Sequence, residues 1–519
     1  LRHLPEADVF GTAPALQPIQ VVKISESVLS RVQSTALTTW PFTGWDIRRC
    51  DMALSQVNHP TAAQPPKSRI VILGGGFGGV ATARHLERRC KGRQDVEIVL
   101  VSRDNFIVMT PLLFEVCSGA LDARNCSVPI RAFLRRTRFV EAAVRGIDLE
   151  RRVVHMAAGT EANELPYDQL VISLGGMTNR KIIPGSEHAF TFKTLADALL
   201  LRNHIIERFE RADVEQDLAR KRQQLTFIII GGGLVGVELF GELTAFAGAI
   251  ASLYKHVNRD DVRFILFQGG EQIMPEIDPK LAAYGADVLR KRRGAEIRTG
   301  SKVLAIKPGQ VELPGETIEA ETVVLAAGVI SNSVVGELPV ERDRRGRIVV
   351  DGTMRCKSHP EVWALGDCAA VPAPDGQPYP SLAQHAMREA KMLARNIEGV
   401  LRGRPPQPFV YSTLGMMGSL GHGNAFGRLI KIRVRGVLAW LVRRTYYLLQ
   451  MPGWRRRARI MIDWTFALLF RPDIVKISLD SEDVERLRRA DYAEAAAGAE
   501  QMTDSTIDAA TAAALQMKV

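Results

Sequence analysis

Two glycine-rich runs carry the clearest chemistry in the chain. Gly74-Gly75-Gly76-Phe77-Gly78-Gly79 and Gly231-Gly232-Gly233-Leu234-Val235-Gly236 both fit G-x-G-x-x-G. In this pattern the first glycine permits a tight turn and the second lets the backbone approach a diphosphate. The third lets helix and strand pack closely, and the helix start faces the anion. The spacing alone is weak, because a glycine-rich loop with no ligand also satisfies it. Here residues 70–73 and 227–230 supply an apolar β-run before each turn, and helical sequence follows both. Both runs therefore read as dinucleotide-binding turns.

About 20 residues past such a turn an acid usually bonds the ribose. The first unit offers Ser102 and then Arg103, and the second offers Gln268. A carboxylate at the second position would hold the two ribose hydroxyls of NADH and repel the 2′-phosphate of NADPH. Neutral Gln268 removes that repulsion, about 1–4 kcal/mol in a partly solvated site, so relaxed NADH/NADPH preference is expected. The plainer alternative is that Gln268 simply bonds the NADH ribose.

A third signal is Val362-Trp363-Ala364-Leu365-Gly366-Asp367, a strand ending in Gly-Asp. An acid there can bond a sugar-like hydroxyl, and Gly366 allows close approach. Joined to the Gly74 turn it makes a split FAD site. A buried, merely structural Asp367 is the alternative.

Positioning these residues requires two strand–turn–helix–strand units. Residues 96–101 and 262–267 supply the second strand of each, and residues 322–325 and 362–365 add further runs. The expected fold class is α/β: an FAD-binding Rossmann-like domain with an inserted NAD(P) domain, plus C-terminal amphipathic helices. The expected boundaries are a leader or upstream sequence at 1–66, FAD domain at 67–190 and 320–405, NAD(P)H domain at 191–319, membrane-association region at 406–480 and disordered tail at 481–519. Met52 is the expected natural start.

The net charge is +11, and its distribution is uneven. From Arg428 to Arg471 eleven Lys and Arg face Asp463 alone, which points to an anionic partner. Six cysteines include no Cys-x-x-Cys pair, which argues against a disulfide-reductase centre and against zinc; no metal is expected. No uninterrupted apolar run suggests a membrane span, and the first 30 residues show no secretory signal.

The order of motifs resembles the type II NADH dehydrogenases, single-subunit FAD-containing NADH:quinone oxidoreductases, from about residue 69 to 479. The carrying segments are the Gly74 turn, Thr110-Pro111-Leu112-Leu113-Phe114-Glu115-Val116, Tyr167-Asp168-Gln169-Leu170-Val171-Ile172, Phe192-Lys193-Thr194-Leu195, the second turn with Glu238, Ala326-Ala327-Gly328, Gly366-Asp367 and Ala383-Gln384-His385-Ala386-Met387-Arg388. The resemblance implies FAD contacts at Thr110, Pro111, Gly175, Gly328, Gln384 and His385, and a quinone contact at Gln384. It places Glu238 between nicotinamide and quinone; otherwise Glu238 is a helix-start acid held by the macrodipole. Lys193 either contacts substrate or pairs with an acid. Arg388 stands where the family usually has Gln, and Cys117 reads as packing. The implied reaction passes hydride from NADH, or NADPH, to FAD and electrons to a quinone, without proton pumping.

Such an acceptor requires membrane contact. Residues 436–450 place Leu438, Leu441, Val442, Thr445, Leu448 and Leu449 on one helical face, with Arg443, Arg444 and Tyr447 away from it. After Pro452-Gly453 and the Arg455–Arg457 cluster, residues 459–470 read as a second helix carrying Trp464 on its apolar surface. The expectation is a helix pair on an anionic surface through residues 428–471, at the cytoplasmic face of the inner membrane. No nucleic acid is expected, and a homodimer is left open. The rivals are a sulfide:quinone oxidoreductase using Cys117 and Cys356, and a flavin-bearing redox sensor whose basic region binds nucleic acid.

Overall fold

The computed structural model describes residues 68–158, 161–412, 415–429 and 432–477. The leader, Met52 and the tail at 481–519 lie outside the described residues.

The strand Ser68–Leu73 is flanked by Val96–Ser102 and Gln169–Ile172, both parallel to it. Arg138–Glu141 and Val362–Ala364 complete a five-stranded sheet. Its central strands are continuous Val/Ile/Leu runs, as expected when helices cover both faces. Ile70, Val71, Ile72 and Leu73 are all buried. The second sheet pairs Thr226–Ile230 with Arg263–Phe267 and Thr322–Leu325, with Phe190–Thr191 and Ala295–Arg298 at its edges, all parallel. The chain leaves the first sheet after Ile172, builds the second, and returns to the first at Val362.

Helices Phe77–Arg89 and Leu234–Ile250 begin inside the two glycine turns. Each third glycine explains the fit. A Cβ on Gly79 would lie 1.9 Å from the Gly74 carbonyl oxygen, and one on Gly236 would lie 1.8 Å from that of Gly231.

One expectation needs correction. Leu234–Leu253 has mean hydropathy 1.6 over a span-length window, so this helix is apolar enough to cross a membrane although Glu238 and Glu242 interrupt the run. Most of it is buried against the second sheet, which makes it a core helix.

The C-terminal region adds an antiparallel sheet, Gly415–Ser419, Ala425–Leu429 and Ile432–Arg435, followed by helices Gly436–Gln450 and Trp454–Leu469. The second helix starts five residues before its expected position, directly after Gly453, and takes in the arginine cluster. The apolar face of the first helix is exposed as expected, but its arginines are not a surface edge. Arg443 and Arg444 point inward with Ala439 and Trp440, and Trp464 is buried. Val437, Leu438, Leu441 and Leu449 face outward, as do Met461, Ile462, Phe466 and Leu469. The helical period was legible, but the partner of its charged face was not: carboxylates wait inside.

Candidate active site

In a parallel sheet, neighbouring strands deliver their following loops to the same end. Leu73 pairs with Ile172, and Ile172 with Ala364. The turn at Gly74, the loop through Gly175 and the Gly366–Asp367 turn therefore leave the first sheet together, where the strand order reverses. That is the usual ligand crevice of a doubly wound sheet. Likewise Ile230 pairs with Phe267 and Leu325, which gathers Gly231, Gln268 and Gly328 at one end of the second sheet.

The first crevice fits FAD. Gly74 has φ +106°, a conformation other residues rarely adopt, and a Cβ there would strike the Ser173 carbonyl. A Cβ on Gly76 or Gly175 would meet nothing within 4 Å, so both face open space. Phe77 begins the helix whose N-terminal N–H groups face that space. Ser102 is buried against the turn, with its hydroxyl 2.4 Å from where a Gly75 Cβ would stand. Arg103 is exposed beside Asp104, 3.9 Å away. Asp367 is half-buried and faces Lys193, whose ammonium burial pushes down and Asp367 and Asp197 hold up. The Lys193 side chain thus has acids to answer it.

Behind Gly366 lies a residue that sequence reasoning missed. Glu389, on the helix Ala383–Val400, accepts the Gly366 N–H at 2.8 Å. Burial pushes its carboxyl up to about 7. On the same helix Gln384 donates to the Gly415 carbonyl at 3.2 Å, and Arg388 donates to the Gln384 carbonyl while its guanidinium lies 4.5 Å from the Tyr411 ring centre. His385 is buried between Tyr379 and Tyr411, with Nδ1 3.0 Å from the Pro380 carbonyl oxygen.

At the second crevice Gln268 accepts the Gly232 N–H through Oε1 at 2.9 Å. Its side-chain oxygen is thus oriented by the turn, and the amide nitrogen is a donor for a ribose or a phosphate. Gly328 has φ +72° and packs near Ile182.

A buried ionic cluster joins the helix of the second turn to the Thr110–Val116 segment. Glu238, one turn into its helix, accepts the Ser419 N–H at 2.8 Å and the Arg443 guanidinium at 3.1 Å, both on Oε1. Arg443, fully buried, also donates to the Pro111 carbonyl at 2.6 Å and lies 3.6 Å from Glu115. Arg444 stands 3.7 Å from Glu115, over the rings of Trp440 and Trp464. The Trp464 indole donates to Glu115. Glu242 accepts from the Ser118 hydroxyl at 2.8 Å. Burial pushes Glu238 up, and Arg443 and the Ser419 N–H oppose it. Burial and the nearby Glu115 push Glu242 up to about 7. Two guanidinium groups thus serve three carboxylates, an arrangement whose desolvation cost is high and whose partners cannot be removed singly without penalty.

Glu115 was inside a quoted segment and Glu242 sits one turn past Glu238, so helical spacing could have flagged both. Arg443 is more than 200 residues from its partner, and no local pattern reveals it. Cys117 is fully buried and its thiol is pushed well up by desolvation, which suits packing. Cys356 lies in the separate core of the first sheet.

Comparison with known proteins follows this geometry. Residues 68–390 match the family described as pyridine nucleotide-disulphide oxidoreductase. The type II NADH:quinone oxidoreductase Ndh of Mycobacterium tuberculosis is 29% identical over 86% of this chain and 98% of its own. Demethylphylloquinone reductase NdbB of Synechocystis is 30% identical over 78% of this chain and 96% of its own. Internal alternative NAD(P)H-ubiquinone oxidoreductase A1 of Arabidopsis thaliana is 30% identical over 79% and 86%. Among solved structures, NDH2 of Plasmodium falciparum in complex with NADH superposes with TM-score 0.73, covering 79% of this chain and all of that one at 18% identity.

Proposed function

The chain belongs to the pyridine nucleotide-disulphide oxidoreductase family and, within it, to the type II NADH dehydrogenases, and from that premise we propose how its residues divide the work. The protein is an NADH:quinone oxidoreductase with FAD as cofactor. FAD, when bound, accepts hydride from NADH and passes two electrons to the quinone; the overall change also consumes one proton.

The Gly74 turn, Ser102 and the Gly366–Asp367 turn would hold FAD, with the Thr110–Pro111 segment and Gly175 beside it. Burial works against the Lys193 ammonium while Asp367 and Asp197 support it, which would set this side chain beside the flavin site. The Gly231 turn would take the nicotinamide dinucleotide, with Gln268 at its ribose. Glu238 lies on the helix that starts at the second turn, and Arg443 and Ser419 fix Oε1 in place. It would orient the nicotinamide side of the site and exclude water there. Gln384 would mark the quinone side.

The observation that carries this reading is the pair of dinucleotide turns, each at the end of its own parallel sheet, with Gly366–Asp367 gathered beside the first. Purified protein should show a flavin spectrum that NADH bleaches and a soluble quinone restores. Bleaching by sulfide and not by NADH would overturn it in favour of the sulfide:quinone reading. Against that rival stand a complete second turn and two cysteines buried in separate cores.

Cofactor preference follows from Gln268. Its amide nitrogen can donate to a 2′-hydroxyl or a 2′-phosphate alike. Gln268→Glu should raise the kcat/KM ratio of NADH over NADPH by roughly tenfold, equivalent to about 1.4 kcal/mol of added repulsion. An unchanged ratio would remove Gln268 from specificity.

The outward apolar face of the C-terminal helix pair supports peripheral attachment to a membrane, which is where an isoprenoid quinone dissolves. The cytoplasmic face of the inner membrane is the proposed side.

A further inference from the structure

The second dinucleotide turn already holds an anion of its own. Glu276 reaches from the segment after the strand Arg263–Phe267 to the start of the helix Leu234–Ile250, where its Oε1 accepts the Leu234 N–H at 2.6 Å. The same oxygen lies 3.6 Å from where a Cβ on Gly233 would stand, in front of the glycine that should meet a diphosphate. In the first turn the corresponding space, ahead of Gly76, is open.

The segment carrying Glu276 is bolted in place. Met274 is fully buried and donates its N–H to the Gly232 carbonyl of the turn at 2.7 Å. It holds φ +51°, the left-handed region that a long side chain rarely enters. The Ile277 N–H closes back on the Met274 carbonyl at 3.0 Å. This reversal aims the next side chain but one at the helix start.

We propose that Glu276 is an intramolecular stand-in for the dinucleotide's diphosphate, which NADH must displace, so that this residue sets the affinity of the second turn. The inference rests on the reading of that turn as the NADH site. A carboxylate at a helix N-terminus is stabilised by the unpaired N–H groups and the helix dipole. A diphosphate makes the same contacts with more charge, so it wins, at the cost of releasing Glu276 and of repulsion from it while it remains near. Glu276 is exposed and its displaced carboxylate can return to water. It is a positioning residue with respect to catalysis, since no reacting atom depends on it.

The test is equilibrium titration of the FAD-loaded protein and of Glu276→Gln and Glu276→Ala with NADH, ADP-ribose and adenosine. Removing the competing charge should tighten NADH and ADP-ribose by a similar factor, roughly threefold to tenfold. Adenosine, which lacks the diphosphate, should bind all three proteins alike. A loss of fold or loop shape would not produce a gain confined to diphosphate-bearing ligands. Unchanged or weaker NADH binding in both variants, with normal binding by the parent protein, would overturn the role of Glu276 alone. Failure of all three proteins to bind NADH would overturn the site reading beneath it.

Discussion

At the residue scale, the site's electrostatics are governed by burial. Glu242 is pushed from its ordinary 4.5 to about 7, chiefly by desolvation. A folded-state value above the unfolded one means that the folded chain binds the proton more tightly. Its contribution is therefore complete below about pH 4.5 and is lost as pH rises toward 7. At about 1.4 kcal/mol per unit the loss is on the order of 3 kcal/mol. Glu242→Gln keeps the amide oxygen for Ser118 and removes the titration. Its melting temperature should therefore fall less than the parent's between pH 5 and 8, as calorimetry would record; equal slopes would show that Glu242 does not ionise in that window. The sequence made Glu238 conspicuous because it follows a recognised turn. Glu389 and Glu276 were silent because a buried or aimed carboxylate is spelled the same as a surface one, and Glu242 was traceable only through its helical spacing from Glu238.

At the element scale, the C-terminal helix Gly436–Gln450 is two things at once. Its outer face is apolar, while its inner face delivers Arg443 and Arg444 to Glu238 and Glu115. The amphipathic period was readable, since the apolar and charged residues do segregate as their spacing predicts. Which side met protein was not readable, because arginines ordinarily face water and here three carboxylates lie within. This dual role changes the proper test of membrane attachment. Deleting residues 436–475 would strip Glu238 of its cation together with the attachment surface. Leu441→Glu with Leu469→Glu alters only exposed positions. The pair should release the protein from vesicles while NADH oxidation with a water-soluble quinone persists; retention on vesicles would reject the helices as the attachment surface. Arg443→Met should do the reverse. It leaves the outer face intact but abandons a buried carboxylate, and so should cost about 3–5 kcal/mol of stability in denaturant titration. A loss below about 1 kcal/mol would mean that Glu238 is neutral in the resting protein.

At the scale of the whole molecule, a net charge of +11 concentrated near the C-terminus suggested electrostatic docking. The structure spends much of that charge internally. Arg443 and Arg444 are buried, and Arg433 pairs with Asp278 at 2.8 Å. Arg435 lies on Tyr284, and Arg456 and Arg457 bond backbone carbonyls. Arg428, Arg455, Arg459 and Arg471 remain exposed. Each cation near an anionic surface contributes about 1 kcal/mol, so these four supply roughly 4 kcal/mol. Against them, twelve large hydrophobic side chains from Val437 to Phe470 are exposed. Even at about 1 kcal/mol apiece, below the range of about 1.5–3 kcal/mol for full burial, half of them outweigh the charges. Attachment should therefore be mainly apolar. In vesicle flotation the protein should bind neutral lipid, gain modestly from anionic lipid, and stay bound in high salt, where exposed ion pairs are screened. Complete release from anionic vesicles by salt, with no binding to neutral ones, would return the attachment to the arginines and make the inward turn of Arg443 and Arg444 irrelevant to it.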